Sequence, residues 1–112
     1  MTAEAAHTAI VDVRTTLDDP EVAHHIARSV VDERLAACAH VSAPIVSYYW
    51  WEDELQCTAE YEVVVRTSPE RAGECSDRIL SLHPYGLPAL VVVPGEASAA
   101  YGRWVHEGCR PA

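Results

Sequence analysis

Two short segments constrain how this chain can fold. Asp19-Pro20-Glu21 and Ser68-Pro69-Glu70 each supply a polar N-cap, a proline at the first helical position and an acid at the positive helix end. Each follows a strand-like run, residues 8–15 before the first and residues 57–67 before the second. A strand-then-helix unit therefore occurs twice. After Pro20, the apolar residues Val22, Ile26 and Val30 recur at four-residue spacing with Ala23, Ala27 and Val31 beside them. That pattern predicts an amphipathic helix to about Ala37. Residues 40–51 and 57–67 are rich in β-branched and aromatic types, with Asp53-Glu54 between them, which predicts a hairpin with a somewhat long connection.

In the second hairpin strand Glu60, Glu62, Val64 and Arg66 fall on one face, and Tyr61, Val63 and Val65 on the other. A solvated face is the plain reading of the paired Glu60 and Glu62. Beyond Pro69, Ala72, Cys75, Ile79 and Leu82 are spaced for one helix face, which places Cys75 in the core. Residues 90–93 predict a short buried strand ended by Pro94-Gly95, and Ser98 a cap for a last helix stopped at Gly108. The order β-α-β-β-α-β plus a terminal helix predicts an α+β, ferredoxin-like split βαβ sandwich with a long hairpin. One domain spans residues 1–112.

Composition narrows the function classes. The formal net charge is −9, which disfavours nucleic acid as a partner. All eight basic residues are Arg, so no lysine nucleophile or Schiff base is available. Cysteines 38, 57, 75 and 109 form no Cys-x-x-Cys pair, the pattern of neither a zinc knuckle nor a disulfide framework. With no secretory-type segment at its start and no apolar run long enough for a bilayer, the expectation is a cytoplasmic protein without a membrane partner. Hairpin strands of ten or so residues outreach the usual five or six. Their projecting edges need covering, so a closed homo-oligomer is expected, with the aromatic run near subunit contacts.

Two motifs exceed what a plain core requires. Tyr48-Tyr49-Trp50-Trp51 must put some of its rings off the local core, because successive strand residues face opposite sides. His83-Pro84-Tyr85-Gly86-Leu87-Pro88 holds an imidazole and a phenol between two prolines. His83 has three readings: a metal ligand, a general acid or base with Tyr85 as donor, or a brace at a helix end. His40, at the start of the hairpin, is either a surface histidine or a further acid–base group. His24 and His25 are adjacent on a helix and cannot share a face. Cys38 reads as a structural thiol.

The order and spacing of Glu33-Arg34-Leu35-Ala36-Ala37-Cys38, Ser47-Tyr48-Tyr49-Trp50-Trp51-Glu52, Arg66-Thr67, His83-Pro84-Tyr85, Pro88, Tyr101 and Trp104 resemble the CutA family, the divalent-cation tolerance proteins. The resemblance covers nearly the whole chain. It implies a ferredoxin-like homotrimer, cytoplasmic in bacteria, with pockets between subunits and a link to copper tolerance and metal binding. The departures lie at charged positions. Ala39-His40-Val41 stands where family members carry Val-Asn-Ile, and Asp53-Glu54 where they carry Gly-Lys. Arg66-Thr67 replaces Lys-Thr, and Gly86 and Ala89 each replace a Glu.

Those departures set two expectations side by side. One is a CutA-like homotrimer whose intersubunit cleft takes a small organic substrate and performs acid–base chemistry such as dehydration, isomerisation or cyclisation, with no cofactor required. His83, Tyr85 and His40 would be its catalytic groups, and Trp50, Trp51, Tyr48, Glu54 and Arg66 its binding groups. The alternative is a divalent-cation (copper) binding and tolerance protein with His83 among the ligands. The Glu-to-Gly and Glu-to-Ala departures at 86 and 89 favour the organic ligand, since they widen and depolarise the cleft.

Overall fold

A computed structural model describes residues 6–111. The elements run β1 (His7–Leu17), α1 (Pro20–Asp32), β2 (Cys38–Val41), β3 (Ile45–Trp51), β4 (Glu54–Thr67), α2 (Ala72–Leu82), β5 (Val91–Ser98) and α3 (Ala99–Gly108). The antiparallel sheet has the order β2-β4-β1-β5, with β3 continuing alongside β4. This is the expected α+β, ferredoxin-like arrangement.

The core lies between one sheet face and α1 and α2. Val11, Val13 and Leu17 of β1 and Val63 and Val65 of β4 meet Ala23, Ile26 and Val30 of α1 and Cys75 and Ile79 of α2. The other sheet face is covered by α3 at one end only, where Ile10 packs on Val105 and Cys109. Arg14, His40, Val91 and Val93 of that face stay exposed, with Val64 half-buried.

Asp19 caps α1 as expected, accepting from the main-chain N–H groups of Glu21 and Val22. The helix ends at Asp32, five residues before Ala37. Arg34 there takes a left-handed φ of 58°, while the N–H groups of Arg34 and Leu35 return to the carbonyls of Val31 and Val30. This is a Schellman stop, closed by burial of both Leu35 and Val30. The second helix also starts later than its proline suggests. Ser68 Oγ accepts from Arg71 N at 3.3 Å, capping a turn, and α2 begins at Ala72. Ser98 makes no side-chain capping bond.

Two strands differ from expectation. β5 runs through Pro94-Gly95 to Ser98, which an edge strand permits because its outer N–H groups need no partner. Val91–Val93 are exposed rather than buried, since β5 has a neighbouring strand on one side only. The first hairpin arm is two strands. Val41 pairs with Val63 and Ile45 with Glu60, so residues 42–44 stand opposite only 61–62. The extra residue, at Ser42-Ala43-Pro44, has the character of a β-bulge and reverses which residues share a face beyond it. The hairpin turn is tight: Glu52 and Asp53, with φ of 50° and 63°, join Trp51 directly to its partner Glu54. Both left-handed residues suit a two-residue turn of the primed type. The arm projects, giving extents of 60 × 27 × 23 Å and a radius of gyration of 15.6 Å, against about 13 Å for a compact domain of this length.

Candidate functional site

A cleft of about 870 Å³ opens between the hairpin and the loop that follows α2. Residues 47–51 of β3 form one wall and residues 85–89 the other, with Thr16 and Glu60 also lining it. The hairpin register decides which rings turn inward. Tyr49, Trp51 and Ile45 pair with Gln56, Glu54 and Glu60, and so share the Glu60 face of the arm. A bond from the Thr58 hydroxyl to Tyr49 Oη, 3.3 Å, confirms that side. Tyr48 and Trp50 take the opposite face and are the most exposed of the four, at 71% and 73%.

The polar end of the cleft is built by Tyr85 and Glu60. Asp18 N donates to Tyr85 Oη at 2.8 Å, so the single phenolic proton goes to Glu60 Oε2, 3.1 Å away. Burial pushes the Tyr85 phenol up from its ordinary value, and the Glu60 bond and charge push it further. The hydroxyl therefore stays protonated and acts as a fixed donor. Glu60 is 6% exposed, which corrects its reading as a solvated carboxylate.

His83 supports this end without entering it. Tyr85 N donates to His83 Nδ1 at 3.2 Å, making that nitrogen an acceptor; the proton then sits on Nε2 and is donated to the Thr16 carbonyl at 3.0 Å. Both ring nitrogens are held by main-chain groups, with the ring edge-on to Tyr85 at 4.8 Å between centroids. The geometry is that of a brace from α2 to β1. To shuttle a proton or bind a metal, the ring must first give up one of these bonds.

The remaining candidate residues lie elsewhere. His40 is exposed on β2, opposite Val64. Glu54 sits beside the hairpin turn opposite Trp51. Arg66 lines a separate hollow of about 400 Å³ with Asp12 and Tyr101. Its guanidinium is held in two bonds by Asp12, Nε to Oδ1 at 2.8 Å and the terminal nitrogen to Oδ2 at 3.0 Å. It also donates to Tyr101 Oη at 3.3 Å, and that oxygen lies 3.6 Å from Cys38 Sγ. The Asp12 bond, then that to Tyr101, drives the Arg66 pKa further up. Arg66 is thus an ion-paired strut of the sheet, and neither it, Glu54 nor His40 lines the aromatic cleft.

The family model of the CutA1 divalent ion tolerance protein matches residues 11–108. This chain belongs to that family. The divalent-cation tolerance protein CutA of Thermus thermophilus is 34% identical over 96 residues, 85% of this chain and 93% of the relative. In structure, CutA from Xylella fastidiosa superposes with a TM-score of 0.86 at 28% identity, covering 90% of this chain and 98% of that one. CutA1 from Oryza sativa gives 0.86 at 25% identity, covering 96% and 100%.

Within this CutA1 fold, two departures noted in the sequence, Gly86 and Ala89, both line the cleft. Gly86 has no left-handed φ, and a Cβ there would meet nothing within 4 Å. Its backbone does not require glycine, so the missing side chain is space left in the cleft. Sequence reasoning missed Glu60 as a cleft residue and did not separate Tyr49 from the other three rings of the aromatic run. The signal for Glu60 was its place on the strand, but its partner Tyr85 is 25 residues away and nothing local joins them. Among the described residues, no three His, Cys, Asp or Glu side chains gather as a metal site.

Proposed function

We propose that this protein serves divalent-cation tolerance as a homotrimer that takes copper or another divalent cation into a site shared between subunits. The family match across residues 11–108 carries the reading. The cation here is the cargo, and one pair of donors on this chain suits it. Cys38 and His40 stand two residues apart on edge strand β2 and share the sheet face on which α3 packs, Cys38 beside Tyr101 of α3 and His40 in the part left exposed. Two residues of strand span about 7 Å, close enough for a thiolate and an imidazole to converge on one ion. That donor set favours soft or borderline cations such as copper or zinc over calcium or magnesium. A second copy supplies the remaining donors. His83 suits the cation less, because its nitrogens already hold Tyr85 and Thr16.

Assembly follows from what one chain leaves uncovered. The outer strands are β2 with β3 on one edge and β5 on the other; Val91 and Val93 of β5 are 54% and 37% exposed, and the hairpin arm projects with Tyr48 and Trp50 outward. Exposed apolar edges of this kind are covered by pairing. All four cysteines are free thiols, in keeping with a reducing, cytoplasmic setting. The test is growth of a strain lacking its own copy on graded copper and zinc. Expression of this chain should raise the tolerated concentration, and the Cys38→Ala/His40→Ala double variant should not. Equal protection by the double variant, at equal protein level, removes those residues from the role.

A further inference from the structure

We infer that the aromatic cleft is a second binding site, for a small organic cation of the alkyl- or arylammonium class, with Glu60 as its counter-ion. The inference stands apart from the cation-tolerance reading and uses none of its residues. It starts from a carboxylate held where carboxylates are costly. Glu60 is 6% exposed and makes no ion pair among the described residues. Buried carboxylates are ordinarily paired. Its Oε2 accepts from Tyr85, whereas Oε1 has no hydrogen-bond partner among the described residues and is not sealed off. One acceptor of a buried acid is therefore left to a ligand.

What surrounds that acceptor selects the ligand's charge and shape. Tyr85 bonds Glu60 directly, and Tyr49 shares the Glu60 face and leans toward it, its hydroxyl meeting Thr58 two residues away; Trp51 lies at the far end of the same face, six residues along the strand. Aromatic faces attract an ammonium or guanidinium group and offer little to an anion. The wall opposite is Leu87, Pro88 and Ala89, which suits the hydrocarbon part of an organic cation and gives a hydrated metal ion nothing to bind. The space vacated at Gly86 admits that hydrocarbon part. Tyr85 cannot compete for the ligand's protons, because its oxygen already accepts from Asp18 N and its proton is committed to Glu60. A protonated amine thus places its N–H and its charge at Oε1, on the Tyr85 and Tyr49 side of the cleft, and its tail along residues 86–89. The chain's net charge of −9 adds long-range attraction for a cation.

Tryptophan fluorescence of the intact oligomer reads the cleft, since Trp51 lies along its hairpin wall on the Glu60 face. The probes are phenethylamine as the cation, 2-phenylethanol as its neutral analogue and phenylacetate as its anion. Phenethylamine should give a saturable change, with the alcohol much weaker and phenylacetate silent. Glu60→Gln keeps an acceptor for Tyr85 but removes the charge, and should weaken phenethylamine about tenfold or more. Gly86→Leu, pointing into open space, should abolish binding without unfolding the chain. Cys38→Ala/His40→Ala should bind as the parent does. The inference is overturned if phenethylamine does not saturate by about 10 mM, if the alcohol or phenylacetate binds as well, or if both cleft variants bind as the parent. Should Glu60→Gln fail to fold, Gly86→Leu alone decides between these outcomes.

Discussion

Replacing Tyr85 with Phe removes one oxygen and leaves the ring, so it isolates the polar end of the cleft. Two bonds are lost. The phenol's bond to Glu60 ends on a carboxylate that is 6% exposed, and a hydrogen bond to a buried charged group contributes about 1.5–3 kcal/mol. The bond from Asp18 N lies at an exposed residue, where water takes the hydroxyl's place and the loss is about 0.5 kcal/mol or less. The expected destabilisation is therefore about 2–3 kcal/mol. Urea unfolding at one fixed protein concentration measures it, the concentration being held because an oligomer's stability depends on it. Glu60→Gln retains an acceptor and should cost about 1 kcal/mol. The double variant should show a coupling of about 1–2 kcal/mol between the two sites. A loss under about 0.5 kcal/mol for Tyr85→Phe, or strictly additive losses, refutes the Tyr85–Glu60 bond as the feature that fixes the cleft.

Cys75 sets a pH dependence. Burial, and then the neighbouring Cys109, push its thiol from 9.0 to about 12, so between those values the unfolded chain has lost a proton that the folded chain keeps. Stability is thus complete below about pH 9 and falls as the pH rises toward 12. Unfolding free energies at about pH 8 and pH 10 should differ less in Cys75→Ala than in the parent; an unchanged difference contradicts the burial argument. Val93→Glu puts a charge on the exposed edge strand and should lower the mass found by sedimentation equilibrium toward that of one chain. A mass equal to the parent's removes β5 from the subunit contact.

Local chemistry made much of this fold legible in the sequence. Asp19-Pro20 fixed the start of α1 because the cap lies within three residues of its partners, and the four-residue spacing of Val22, Ile26 and Val30 placed its buried side. The end of α1 was hidden because Arg34, not glycine, takes the left-handed position, and its cost is offset by burial of Leu35 against the core. The cleft was harder to read. Alternation alone cannot say which aromatic faces Glu60, since the additional residue at 42–44 swaps the two faces of β3. The Tyr85–Glu60 bond joins segments brought together by the packing of α2 against α1 and β1. His83 was legible as a motif residue but not in its role, which depends on the Thr16 carbonyl at the end of a distant strand.

The claim on which the functional account rests is that this chain binds a divalent cation through β2. Calorimetric titration of Cu²⁺ and Zn²⁺ into chelator-stripped, tag-free protein tests it, with Cys38→Ala/His40→Ala and His83→Ala alongside. The account predicts stoichiometric binding that the double variant loses and His83→Ala keeps. Absence of binding, or binding that survives in the double variant and disappears with His83, would contradict it.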